Sequence, residues 1–246
     1  MKRTPVWLWP NLLSLDAPIV ALVWQDLAAH SFGNPLRAAA RVVLGLTVWA
    51  VYLADRLLDV RAAGLATDTA RHRFSRRHYR ALSVLLAAVL LVDIFVATVE
   101  LRRAVLLHGL AVAACVGAYL FIFPQRASGW EKQACCAVLF SIGVLLVSAT
   151  SLSPLHLLLP AVLYAGLCLC DLVLIELWER AAGRRVLWIA PAAIAAVALA
   201  IHGPWYHAVA LAGVLLAALA ISGKRITMDA KRVLADAALL TPLLFR

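Results

Sequence analysis

Apolar runs long enough to cross a lipid bilayer recur through this chain, and they limit the fold more than any other feature. They cover about residues 12–29, 37–59, 81–99, 104–123, 133–152, 155–178, 186–202 and 204–222, and a shorter run at 233–245 contains Asp236 and Pro242. A spanning helix needs about 20 apolar residues, because the hydrocarbon core is about 30 Å thick and each residue rises about 1.5 Å. Lipid offers no partner to backbone amides, so such segments are helical. The expected fold is all-α: a polytopic transmembrane helical bundle of 8–9 membrane helices, forming one integral-membrane domain over residues 1–246. Hydrophobic residues make up 64% of the chain and charged residues 15%, which excludes an ordinary soluble domain.

The net charge of +10 resembles a nucleic-acid signature until the basic residues are placed between the apolar runs. Lys2 and Arg3, the loop arginines from Arg56 to Arg80, Arg126 and Lys132 fall on one side. So do Arg180, Arg184, Arg185, Lys224, Arg225, Lys231 and Arg232, which brings that side to eighteen of the 23 basic residues. Arg37, Arg41, Arg102, Arg103 and Arg246 fall on the other. Positive charge is retained on the cytoplasmic side, so the N-terminus and the ends of the second, fourth, sixth and eighth helices are expected there. No nucleic-acid partner is expected. The five cysteines lie inside apolar runs without CxxC spacing, and the histidines form no HExxH pair, so no zinc site is expected. Asp16 interrupts the first run and no small-residue cleavage site follows, so that run is read as a membrane helix and not a signal peptide.

Two clusters carry the chemistry. Trp49 to Asp59, WAVYLADRLLD, ends the second helix with Asp55 and Asp59 on one face and Tyr52 a turn above. A helix C-terminus repels carboxylates, so acids there invite a cation. In RHRFSRRHYR, Arg73, Arg76, Arg77 and Arg80 follow at helical spacing, suited to phosphate. The sixth helix ends in CDLVLIELWER, where Asp171, Glu176 and Glu179 again precede a basic loop. A plainer reading stays open, in which the acids pair with neighbours such as Arg56 at solvated helix ends and the arginines are a stop signal. Asp93 is a lone acid inside the third span, with no partner identifiable from sequence.

With two acidic helix ends on one side, four helices apart, the chain resembles the UbiA-type intramembrane prenyltransferases. Tyr119 to Gly143, YLFIFPQRASGWEKQACCAVLFSIG, is similar to that family's junction between the fourth and fifth helices. Val51 stands where the family's first motif has Asn, and Ile175 where its second motif has a second Asp. The resemblance implies a Mg²⁺ cofactor held by Asp55, Asp59, Asp171 and Glu179 as catalytic and metal-binding residues. It implies Tyr52, Arg56, Arg73, Arg76, Arg77, Glu176 and Lys132 as substrate-binding residues. The partners implied are a polyprenyl diphosphate, an aromatic or lipid-like lipophilic acceptor and membrane lipid; no protein partner is inferable. The expected location is a bacterial inner (cytoplasmic) membrane, with the site on the cytoplasmic face. Alternatives are a UbiA-like terpene cyclase, a membrane transporter that uses the acids as a cation site, and a non-catalytic homologue.

Overall fold

The computed structural model describes residues 9–62, 70–122, 130–179, 187–222 and 226–245. All regular elements among them are helical. Among the described residues, six helices are long and apolar enough to cross a membrane: Ala38–Arg61, Tyr79–Glu100, Arg103–Ile122, Trp130–Ala149, Leu155–Glu179 and Pro204–Ile221. Six such helices are the mark of a multi-pass integral membrane protein. Lys2, Arg3, Arg126, Arg180, Arg184, Arg185, Lys224, Arg225 and Arg246, which enter the charge asymmetry, lie outside the described residues, as does 123–129 of the Tyr119–Gly143 junction.

The chain divides into two compact units, the first made of residues 1–22 and 37–128 and the second of 23–36 and 129–246. The first unit contains α1 (Trp9–Leu12), the start of α2 (Asp16–Ser31), α3 (Ala38–Ala62), α4 (Ala70–Arg77), α5 (Tyr79–Glu100) and α6 (Arg103–Ile122). Leu53 and Leu57 of α3 pack with Leu82 of α5, and Trp49, Phe74, Tyr79, Leu85 and Leu86 close round them. Trp49, Leu53 and Leu57 are four residues apart, which forms a stripe down one side of α3.

The expected first span, 12–29, is not one helix. The chain turns after Leu12, Ser14 takes a positive φ of 57°, and α2 starts at Asp16. Asp16 accepts from the Asn11 side chain at 2.7 Å and from the Ala17 amide at 3.0 Å. The acid therefore sits at a helix N-terminus, where the dipole favours it.

The second unit holds the rest of α2, α7 (Trp130–Ala149), α8 (Pro154–Glu179), α9 (Ile189–Leu199), α10 (Pro204–Ile221), α11 (Met228–Ala238) and a closing 3₁₀ turn (Thr241–Leu244). The buried stripe of α8 runs through Leu157, Pro160, Leu163, Tyr164, Leu167, Cys168, Asp171 and Leu174 at helical spacing. Tyr164 meets Trp24 and Trp205, with ring centroids 4.4 and 5.5 Å away. The Trp24 indole donates to the Leu239 carbonyl at 2.7 Å. The buried face of α10 is rich in Ala and Gly, which lets α9 come close.

Two expected spans are short. α9 has 11 residues, about 16 Å of helix, where 186–202 was expected. Gly203, at φ 135°, and Pro204, which starts α10, set its far limit. The expected run at 233–245 lies in α11, which begins five residues earlier behind a Thr227 cap and gives way to the 3₁₀ turn. α11 also has 11 residues, half the length of a span.

Candidate functional site

Asp55 and Asp59 stand in the last two turns of α3, one turn apart and both half-buried. Each lies two residues beyond a leucine of the packed stripe, about 160° around the helix from it. The carboxylates therefore occupy the side of α3 opposite its α5 contact, and half-buried Tyr52 stands beside them. Arg56 turns only about 60° from Leu53 and is buried. Its Nη1 donates to the carbonyls of Asn11 at 2.8 Å and Leu12 at 3.2 Å. This expected substrate contact thus ties the end of α1: it gives the Asn11 carbonyl a second donor beside the Ser14 amide, and it also reaches the Leu12 carbonyl.

The arginine strip is divided. Arg73, Arg76 and Arg77 are exposed on α4, and the helix breaks at His78, so Arg80 belongs to α5. Phe74 positions α4, with its ring 4.4 Å from that of His78 and 6.2 Å from that of Trp9. Arg61, near the end of α3, sits over the Tyr79 ring at 5.7 Å.

In the second unit Asp171 belongs to the packed stripe of α8 and is buried, whereas Glu176 and Glu179 lie nearer the helix end. Glu176 accepts from the Gln133 amide of α7, one residue after half-buried Lys132. Glu179 pairs with Arg232 of α11 at 2.8 Å, where the arginine side chain is 7% exposed and the glutamate 28%. The neighbouring Lys231 ammonium stands 5.1 Å over the Trp178 ring. The two glutamates, about 60° apart on one helix end, thus engage different helices. Asp55 and Asp59 belong to the first unit, and Asp171, Glu176 and Glu179 to the second.

The sequence reading missed Gln133 and Arg232 as partners of these acids, and Lys231 as the cation over Trp178. The signal for the last two was present: Lys231, Arg232, Ala235 and Ala238 share the buried face of α11. Basic residues on the alanine face of an amphipathic helix are turned toward the protein.

Two aspartates one turn apart fit a magnesium ion, which takes one or two carboxylates and fills its remaining positions with phosphate oxygens and water. Glu179 fits less well, because one of its oxygens is held by Arg232. Among the described residues, no group of three or more His, Cys, Asp or Glu side chains is gathered at metal-binding distance. Comparison with protein-family models, with curated proteins and with solved structures found no match.

Proposed function

We propose that the protein is a UbiA-like, magnesium-dependent prenyltransferase of a bacterial inner membrane, with its site on the cytoplasmic face. The reading rests chiefly on one observation: two long apolar helices, α3 and α8, each carry carboxylates in their final turns. The asymmetry of basic residues supports the sidedness.

In this reading Asp55 and Asp59 would hold a metal and its diphosphate in the first unit, and Asp171 is the corresponding candidate ligand in the second. Glu179 positions the end of α8 through Arg232, and Glu176 does so through Gln133. Bound magnesium would stabilise negative charge growing on the leaving diphosphate. The exposed arginines Arg73, Arg76 and Arg77 attract the diphosphate and share that charge. The C–O bond of the donor breaks with its electron pair leaving on the diphosphate. A nucleophilic atom of the acceptor bonds to the freed prenyl carbon and gives up its proton. Apolar helices accommodate the prenyl chain.

The test is Mg²⁺-dependent diphosphate release from a panel of polyprenyl diphosphates in nanodiscs. Release is expected to need the metal and to fall roughly 10²-fold or more in Asp55→Asn and in Asp171→Asn. Prenylated acceptor as product separates transfer from cyclisation. No release from any donor, or release indifferent to both substitutions, ends the proposal.

A further inference from the structure

Asp93, the lone acid of the third expected span, has a partner on another helix. It is the fifteenth of 22 residues in α5, and it is 8% exposed. The Thr47 hydroxyl of α3 donates to its Oδ2 at 2.7 Å. Its other oxygen, Oδ1, is buried and has no hydrogen-bond partner among the described residues.

One hydroxyl is a meagre environment for a carboxylate inside an apolar span, where an ionised acid needs a counter-charge or several donors. The charged residues of the neighbouring helices lie far along their axes. On α3, Arg41 is six residues from Thr47 and Asp55 eight, about 9 and 12 Å along the helix, with Arg56, Asp59 and Arg61 beyond. Arg73, Arg76, Arg77 and His78 all precede the start of α5, about 20 Å from Asp93 along that helix. Glu100, Arg102 and Arg103 lie seven or more residues past it, about 10 Å or further along the chain. On α6, His108 is exposed and its ring Nδ1 meets the Ala104 carbonyl at 2.7 Å.

A metal ion would need more ligands than Thr47 and Asp93 supply. A larger ligand would need space beside an oxygen that has no exposed surface. A proton needs neither. We infer that Asp93 and Thr47 form a proton-binding site within the membrane-spanning part of the first unit. Asp93 carries the proton as a carboxylic acid on Oδ1, while Oδ2 accepts from the Thr47 hydroxyl. The occupied site joins α3 to α5 without a buried charge, so proton loss loosens that pairing.

Dicyclohexylcarbodiimide, which enters lipid and reacts with protonated carboxyls, tests the site in the full chain in nanodiscs. The acid proton passes to a carbodiimide nitrogen as the carboxyl oxygen joins the central carbon. Acyl migration then leaves a stable N-acylurea with nothing lost. Trypsin releases Asp93 in the peptide from Ala81 to Arg102, which mass spectrometry reads directly. The expected result is modification at Asp93 that slows as pH rises, with no such modification by a water-soluble carbodiimide. Thr47→Val removes the donor that favours the ionised form, so its labelling should persist to higher pH. Asp93→Asn should lose the label while keeping the fold, since the amide resembles the protonated acid. Absence of label at Asp93 in the native protein at every pH, with labelling only after unfolding in SDS, would overturn the inference. So would labelling in Thr47→Val with the pH profile of the unaltered protein.

Discussion

Gly213→Ala measures how closely α9 and α10 approach one another. A Cβ at Gly213 would lie 2.6 Å from the Pro191 carbonyl oxygen, 3.0 Å from the Ala195 Cβ and 3.3 Å from the Ala195 amide nitrogen. Ordinary contact begins at 3.4 Å, so the new methyl would be about 0.8 Å too close to a backbone oxygen. That oxygen cannot swing aside like a side-chain tip, because an α-helix engages it with the amide four residues on. Overpacking costs about 1–3 kcal/mol, and a backbone clash belongs at the upper end. The better helix propensity of Ala returns about 1 kcal/mol, leaving a net loss of about 2 kcal/mol. A loss of that size raises the population of opened second unit about 30-fold. Cys168, a free cysteine 5% exposed in that unit, reports the opening through its rate of thiol alkylation, read at that residue by mass spectrometry. Gly166 calibrates the measurement within the same unit, and Gly117 gives an unfolding comparison in the other. At Gly166 the added atom meets only the Ile194 side-chain end at 3.1 Å, and a cost below about 1 kcal/mol is expected. At Gly117 nothing lies within 4 Å, and Ala should stabilise the first unit by up to about 1 kcal/mol. If Gly213→Ala alkylates no faster than the unaltered protein, the close approach is absent and the packing of the second unit has been misread.

The ion pair at the end of α8 and the arginine under α1 give two further tests. In a double-mutant cycle with Arg232→Ala and Glu179→Ala, the coupling is expected to be about 1 kcal/mol or more, with the larger single loss in Glu179→Ala, which leaves the deeper charge behind. Additive unfolding free energies would show that the pair contributes nothing. Arg56→Met removes the donor to two buried carbonyls and should cost about 1–3 kcal/mol, localised to faster hydrogen exchange around residues 11–16. Unchanged exchange there would remove the tie between α1 and α3.

The long apolar helices were legible because hydropathy adds up over a window, and α3 and α8 each exceed the length a bilayer demands. Their acids were legible too, because a carboxylate in an apolar turn is conspicuous. Sequence could not show where the short helices stop. Asp16 reads as a defect in an apolar run, yet it opens α2, and the turn at Ser14 has no sequence signature. Nor could it separate a basic residue facing water from one folded inward. Arg232 and Arg73 contribute equally to a charge count, but Arg232 is buried against Glu179 and Arg73 is exposed. The difference depends on which face of a helix meets a neighbour, and that is a property of pairs of segments. Thr47 and Asp93, 46 residues apart, illustrate the same gap: neither predicts the other, and only the α3–α5 packing brings them together.

The bond from Trp24 to the Leu239 carbonyl also bears on how the protein is made. Its two ends are 215 residues apart, and the second unit takes its first segment from residues 23–36 and its remainder from beyond 128. At about 5–20 residues per second, a ribosome needs roughly 10–40 s to travel from one end of that bond to the other. Until that interval ends the indole of Trp24 is without its acceptor, and in the course of it the whole of the first unit is made. The first unit is therefore able to assemble before the second, which cannot close this bond until Leu239 has been made. Conditions that slow translation lengthen the exposure of Trp24 and of the α2 surface around it, and leave the finished fold unchanged.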